Sequence, residues 1–233
     1  MKSRNKVIFV TGTDTNVGKT FISALLLSFL RDKGIDVGYQ KWVSTGGEEP
    51  EDLLFCMEKS GQKYTLQDID KQVPYRFLIP ASPHFAAEQE EKNIDPELLK
   101  ARFNNYVREK EMLVVEGVGG LMVPLRRDLL LVDFLAGFKL PTLIVARSGL
   151  GTLNHTLLTI EALRNRQIPV LGVVFSDEDR GLAKDDLVVN DNMKTIGEIG
   201  KVAVFGRVLR YDEFDDARIP FQPIGTSILS SLQ

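Results

Sequence analysis

The chain has 233 residues, enough for one α/β domain with a sizeable core, and residues 1–233 are read as a single domain. Hydrophobic residues make up 43% and charged residues 26%, as in ordinary globular proteins, and a formal net charge of −3 gives no broad basic field for a nucleic acid. The one cysteine, Cys56, excludes an internal disulfide or a multi-cysteine zinc site and suits a reducing cytoplasm, where we expect the protein to act.

In chain order, residues 1–6 are basic, but only four apolar residues follow before a polar loop begins. Neither a secretion signal nor a membrane span is expected there. Those four residues, Val7-Ile8-Phe9-Val10, predict a buried strand. Behind them runs Thr11-Gly12-Thr13-Asp14-Thr15-Asn16-Val17-Gly18-Lys19-Thr20, and Phe21-Ile22-Ser23-Ala24-Leu25-Leu26-Leu27 predicts a helix. A strand, a tight loop ending Gly-Lys-Thr and a helix form a phosphate cradle, because loop N–H groups and the positive helix N-terminus point at one place. Lys19 would reach the β and γ phosphates of a nucleoside triphosphate, and the Thr20 hydroxyl would ligate Mg²⁺. The strict pattern wants glycine at position 13, where this chain has Thr13, and Gly12 comes one residue early.

Gly34 is a plausible helix C-cap, and 37–43 predicts a second strand. Lys41 near its end is unusual, because a buried parallel strand should be apolar. It reads either as a positive charge aimed at an anion in a cleft or as a solvated strand end. Asp52 reads equally as the N-cap of a helix over 52–60 or as a metal carboxylate. Cys56 on the apolar face of that helix reads as core, and Trp42 as packing. The least regular stretch, 61–94, carries Pro74, Pro80 and Pro83 and reads as a loop over the site. A helix is expected over 95–109, then a strand over 112–115 ending in Glu116-Gly117-Val118-Gly119-Gly120. A carboxylate placed there, beside a phosphate loop, faces Mg²⁺ directly or through water; otherwise it is an exposed loop acid. Further helices are predicted over 129–138, 153–166 and 186–199, and further strands over 141–146, 169–175 and 202–206. His84 and His155 read as structural histidines rather than catalytic ones, and 212–216 as a solvated loop. Apolar strands alternating with helices predict a three-layer, doubly wound, mostly parallel sheet of about seven strands, similar to the phosphate-loop NTPases. Ligands then bind at the carboxyl ends of the strands.

Taken together, these residues resemble the dethiobiotin synthetase family, ATP-dependent enzymes that close the ureido ring in biotin synthesis. The resemblance rests on the 12–20 loop, on Gly38-Tyr39 with Lys41 and Thr45-Gly46, on Pro80-Ala81-Ser82-Pro83-His84, on the 115–120 turn, and on Leu150-Gly151-Thr152-Leu153-Asn154-His155. It implies that Lys19 and Lys41 are catalytic, contacting the γ-phosphate and the developing carbamoyl phosphate. Thr20, Asp52 and Glu116 would hold Mg²⁺. ATP would be held by Thr15, Asn16, Val17, Gly18, Lys19, Thr20 and Phe21. Gly117, Val118 and Gly119 would add to that site, with Ser176, Asp177, Leu209, Arg210, Tyr211 and Glu213 on the base side. Thr13, Thr45 and Ser82 would lie near the diamine substrate. Leu150, Gly151, Thr152, Leu153 and Asn154 would bind its carboxylate from a partner subunit, which implies a homodimer. The base side departs from the family: Ser176-Asp177 stands where Asn-Asp is usual, and Val208-Leu209-Arg210-Tyr211 lacks the usual proline. A serine cannot offer an amide's paired donor and acceptor, so weak adenine selectivity is expected. Asn16 stands where some relatives carry an acid.

Three other classes compete with this reading, one of them a non-catalytic nucleotide-binding module, against which Lys41 together with Asp52 and Glu116 argues. Phosphate-loop amidoligases usually carry a glutaminase domain with a nucleophilic cysteine, for which this chain has neither the length nor the residue. Partitioning-type switch ATPases have a second lysine early in the loop, where this chain has Thr13-Asp14-Thr15.

Overall fold

The computed structural model describes residues 6–177 and 186–232; the basic residues 1–5 weighed above lie outside the described residues. The first apolar run forms β1 (Lys6–Gly12) at the centre of a six-stranded parallel sheet. On one side β1 pairs with β5 (Met112–Gly120), and β5 pairs with β2 (Val37–Lys41). On the other side follow β8 (Thr142–Arg147), β9 (Val170–Ser176) and β10 (Val204–Val208). The order is therefore β10-β9-β8-β1-β5-β2.

Alternating residues of these strands feed two cores, as the pleat requires. Ile8, Val10, Val114, Leu143 and Val145 face α1 (Lys19–Asp32), α2 (Glu51–Lys59) and α9 (Phe214–Ser230). Phe9, Leu113, Val115 and Ile144 face α5 (Pro96–Val107), α6 (Leu131–Ala136), α7 (Thr152–Asn165) and α8 (Leu187–Gly200). The sheet thus lies between two helical layers, and its strands are apolar on both faces for that reason. Trp42 fills the second core against Phe9, Phe103, Phe134 and Phe138, so it is packing, as expected. Gly34, with φ 78°, follows α1 as its expected C-terminal glycine.

The chain differs from the reading of its sequence in four places. The run 37–43 does not stay in the sheet: after Lys41 it leaves, and β3 (Val43–Thr45) pairs instead with β4 (Tyr75–Phe77) in a separate parallel ribbon. The central sheet has six strands, one from each of the six apolar runs, rather than about seven. The irregular stretch 61–94 is partly ordered, holding α3 (Leu66–Gln72), β4 and α4 (Pro83–Gln89). A reciprocal capping box between Thr65 and Asp68 starts α3, a local signal that outweighs the helix's shortness. The 129–138 run opens not as helix but as β7 (Leu129–Leu130), antiparallel to β6 (Pro124–Arg126), and turns helical only at Leu131. Finally, α9 was not expected, because Pro220 and Pro223 lie inside it. Phe214, Ala217, Phe221, Ile224 and Ile228 carry it onto the core beside α1. Among the described residues, no helix is long and apolar enough to cross a membrane.

Candidate active site

The phosphate loop joins the carboxyl end of β1 to the start of α1. Gly18 caps α1 with φ 85°, and a Cβ there would overlap the Ser176 side chain, so glycine is required twice over. Asn16 also takes a left-handed conformation, φ 57°, which asparagine tolerates better than most residues. A cleft of about 460 Å³ opens over this loop, lined by Thr15, Asn16, Gly18, Lys19, Thr20 and Phe21. Lys41, Thr45, Asp52, Glu116, Val118 and Gly119 line it from the other strands and loops. The expected phosphate, metal and catalytic residues therefore meet in one place.

At its floor, four side chains from α1 and β2 surround two carboxylates. Lys41 and Glu116 are register partners on β2 and β5, and Lys41 Nζ lies 2.6 Å from Glu116 Oε1 and 2.8 Å from Asp52 Oδ2. Thr20 Oγ1 is 2.7 Å from Asp52 Oδ1 and 3.0 Å from Glu116 Oε1. On the far side of the Glu116 carboxylate, Oε2 accepts from Ser23 Oγ at 2.8 Å and from Tyr39 OH at 3.1 Å. Lys41 is buried, and so is Glu116 at 0% exposure; neither is a solvated residue at a strand or loop end. Asp52 sits in the first turn of α2 but does not cap it; Pro50 holds the N-cap position.

The electrostatics follow from this packing. Burial works against the charge on Lys41, but Glu116 and Asp52 outweigh it and raise the ammonium pKa, so Lys41 is a fixed cation. Burial works against the Asp52 charge as well, and Lys41 outweighs it, lowering the carboxyl pKa. Lys19 has no such partner: burial first and the Lys41 charge second lower it to about 8. Its ammonium donates to Asp14 O at 2.9 Å, a neutral carbonyl. Burial, and then Glu116, raise the Tyr39 phenol well above its ordinary value, keeping it a proton donor. Cys56, expected in the core, is fully buried below this cluster, and burial raises its thiol pKa well above the ordinary value.

The oxygens suit a hard divalent cation. Two carboxylates and a hydroxyl form an all-oxygen set, and the 3.0 Å between Thr20 Oγ1 and Glu116 Oε1 matches the edge of an octahedron with metal–oxygen distances of about 2.1 Å, with Asp52 Oδ1 closer to the hydroxyl at 2.7 Å. Among the described residues no group of three or more His, Cys, Asp or Glu is placed to hold a metal ion, so the set here rests on two carboxylates and a hydroxyl.

A second cavity of about 350 Å³ shares Asn16, Gly18 and Phe21 with the first and continues along the ends of β9 and β10. Ser176, Asp177, Leu209, Arg210, Tyr211 and Glu213 line it, as expected for the base side, together with Phe55 and Phe214. The Asp177 carboxylate is already engaged: Arg207 donates to both oxygens at 2.8 Å, and Ser148 donates to Oδ1 at 2.5 Å.

Other expected residues lie outside the cleft. Val17 is buried beneath the loop, and Gly117 packs on Phe9. Thr13 lines a separate cavity of about 360 Å³ with His155, Met122 and Leu158. Ser82 stands at the N-cap position of α4 rather than lining the cleft, and the 61–94 segment lies behind the cleft wall, with β4 paired to β3 and Pro80 against Gly46, but lines none of it. The 150–154 turn stands at the start of α7, with Leu150 86% exposed. Sequence reading missed Ser23, Tyr39, Ser148 and Arg207. Spacing held a signal for two of them: Ser23 is three residues from Thr20 on α1, and Tyr39 two from Lys41 on β2, so each shares its neighbour's face.

The family model described as an AAA domain matches residues 6–218. The ATP-dependent dethiobiotin synthetase BioD of Methanococcus vannielii is 40% identical, over 87% of this chain and 92% of its own length. That of Rhizorhabdus wittichii is 42% identical over 90% of each chain, and that of Clostridium perfringens 35% over 90% and 93%. Among solved structures, MinD cell division protein from Aquifex aeolicus superposes with a TM-score of 0.55 at 16% identity, covering 97% of this chain and 95% of its own. A ParA family ATPase from Chlorobium tepidum gives 0.54 at 13%, covering 98% and 97%. At such identities the likeness is one of fold alone, whereas the synthetase relatives match in sequence along nearly the whole chain. The chain belongs to the ATP-dependent dethiobiotin synthetase family.

Proposed function

We propose that the protein carboxylates 7,8-diaminopelargonate and closes the ureido ring of dethiobiotin at the expense of MgATP. The observation that carries this reading is the meeting of Lys19 and Lys41 with Thr20, Asp52 and Glu116 in one cleft on the phosphate loop. A protein that only bound nucleotide would have no use for a second buried lysine there.

One amine of the diamine adds to CO₂, loses a proton and becomes a carbamate. A carbamate oxygen attacks the γ-phosphorus, the bond to the β-phosphate oxygen breaks, and ADP leaves with a carbamic–phosphoric anhydride in place. The second amine attacks the anhydride carbon, its proton is lost, and phosphate departs with the bridging oxygen, leaving a cyclic urea. Both carbamate and triphosphate are anionic, so the chain's work is positioning and charge neutralisation. Loop amides and Lys19 hold the β and γ phosphates. Lys41 lets go of Asp52 and Glu116 and meets the migrating phosphoryl group. Thr20, Asp52 and Glu116 would hold Mg²⁺, which would supply neutralisation of the phosphate charge. The base lies along 209–213. Thr45 and Thr13 stand on the diamine side. The 150–154 turn of a second copy receives the substrate carboxylate, and exposed Leu150, Leu158 and Met122 belong to that homodimer interface. The reaction belongs to the cytoplasm, with Cys56 reduced.

The test is ADP release with diamine, bicarbonate and MgATP, each omitted in turn. ADP should appear only with all three. Equal release without the diamine would favour a switch ATPase.

A further inference from the structure

Glu116 is the most enclosed charged group of the cleft, and its two oxygens are not equivalent. Four side chains donate to it, in two pairs taken from the same two elements. Thr20 and Ser23 are one turn apart on α1; Lys41 and Tyr39 alternate on one face of β2. The outer pair, Thr20 Oγ1 at 3.0 Å and Lys41 Nζ at 2.6 Å, meets Oε1. The inner pair, Ser23 Oγ at 2.8 Å and Tyr39 OH at 3.1 Å, meets Oε2. Glu116, Ser23 and Tyr39 are all at 0% exposure, so no water competes for the inner bonds.

We infer that Ser23 and Tyr39 are positioning residues: they anchor Oε2 and so restrict Glu116 to presenting Oε1 alone to the cation. A carboxylate with one free rotor and two equal oxygens can chelate through both or swing away. Here the two inner donors take up Oε2, and rotation would break both bonds inside a dry core. Oε1 is thereby left at octahedral-edge distance from Thr20 Oγ1. Hydrogen bonds behind a metal ligand commonly change metal affinity by 10- to 100-fold when removed. Neither hydroxyl faces the cleft, so their loss should be felt by the metal and not by the nucleotide. The inference rests on the assignment of Glu116 as a cation ligand, not on the identity of the carbon substrate.

The test is Mn²⁺ binding to the ADP-loaded protein, followed by electron paramagnetic resonance, alongside ADP binding without metal. Tyr39→Phe keeps the ring and removes only the donor; Ser23→Ala removes the other. Each single variant should weaken Mn²⁺ several-fold and the double variant 10- to 100-fold, with metal-free ADP affinity within twofold of wild type. Ser23→Thr, which keeps the hydroxyl, should restore affinity against Ser23→Ala. If the double variant folds poorly, Tyr39→Phe alone carries the test. Unchanged Mn²⁺ affinity in Tyr39→Phe, or a parallel loss of metal-free ADP binding, would overturn the assignment. Absence of dethiobiotin synthesis by the wild type would sink the proposed reaction but leave this binding measurement readable.

Discussion

Lys19 and Lys41 are both buried lysines, yet their surroundings set them opposite tasks. Lys41 is neutralised by two carboxylates and stays charged; Lys19 faces a carbonyl and is lowered to about 8. If Lys41 meets the migrating phosphoryl group, Lys41→Ala should lower kcat by roughly 10²–10³-fold while nucleotide affinity changes far less. Lys19→Ala should damage both. An unchanged kcat in Lys41→Ala would leave Lys41 as a structural counter-ion, and paired kcat and ADP-binding measurements separate the cases. The sign of the Lys19 effect is also fixed. With a folded value near 8 against 10.5 for an ordinary lysine, the folded protein gives up this proton first as pH rises. Its burial therefore opposes folding fully below pH 8, and the penalty is relieved between 8 and 10.5. Nucleotide binding needs the charged form and must take a proton up. ADP affinity should hold steady to about pH 8 and then fall by as much as about tenfold per unit. Calorimetry in buffers of different ionisation enthalpy should detect the uptake; a flat affinity from pH 7 to 9.5 would contradict it.

At the scale of elements, the proposed base side lies at the ends of β9 and β10. Ser176 offers one hydroxyl, and the Asp177 carboxylate is held by Arg207 and Ser148. Steady-state kinetics should find ATP, GTP and CTP within about tenfold in kcat/KM, since one lost edge hydrogen bond is worth about 1–2 kcal/mol. A thousandfold preference for ATP would show that other groups read the edge. This region also marks where the sequence stops being legible. The phosphate loop, β1, β5, β8 and β9 could be read because their signals are local: apolar runs, glycines and Gly-Lys-Thr. The Asp177–Arg207 pair joins residues 30 apart on two strands, and no local pattern announces it. Ser23 sits inside an apolar run, where a hydroxyl looks like any core residue, and only its spacing from Thr20, like that of Tyr39 from Lys41, marks it. The last helix, α9, was hidden by Pro220 and Pro223, whose local cost is outweighed by the apolar face packed on the core.

For the molecule as a whole, the cleft gathers Lys19, Lys41, Thr20, Asp52 and Glu116 but leaves the 150–154 turn outside it. Leu150 in that turn is exposed, as are Leu158 and Met122, which line one cavity with His155, and single exposed apolar residues on this scale are ordinary unless they form one patch. The homodimer reading makes them such a patch. Leu150→Asp with Leu158→Asp should give a monomer by sedimentation that still binds ADP but has lost most turnover, because the substrate carboxylate has lost its receptor. A wild-type monomer with full turnover would refute it.

The proposed reaction turns on attack of a carbamate oxygen of the substrate on the γ-phosphate. It is tested most directly by supplying freshly dissolved C¹⁸O₂ with diamine and MgATP and analysing the released phosphate by mass spectrometry before the label exchanges with water. The account requires one ¹⁸O in the phosphate and one in the dethiobiotin carbonyl. Phosphate free of label, its new oxygen drawn from water, would mean simple ATP hydrolysis and contradict the account.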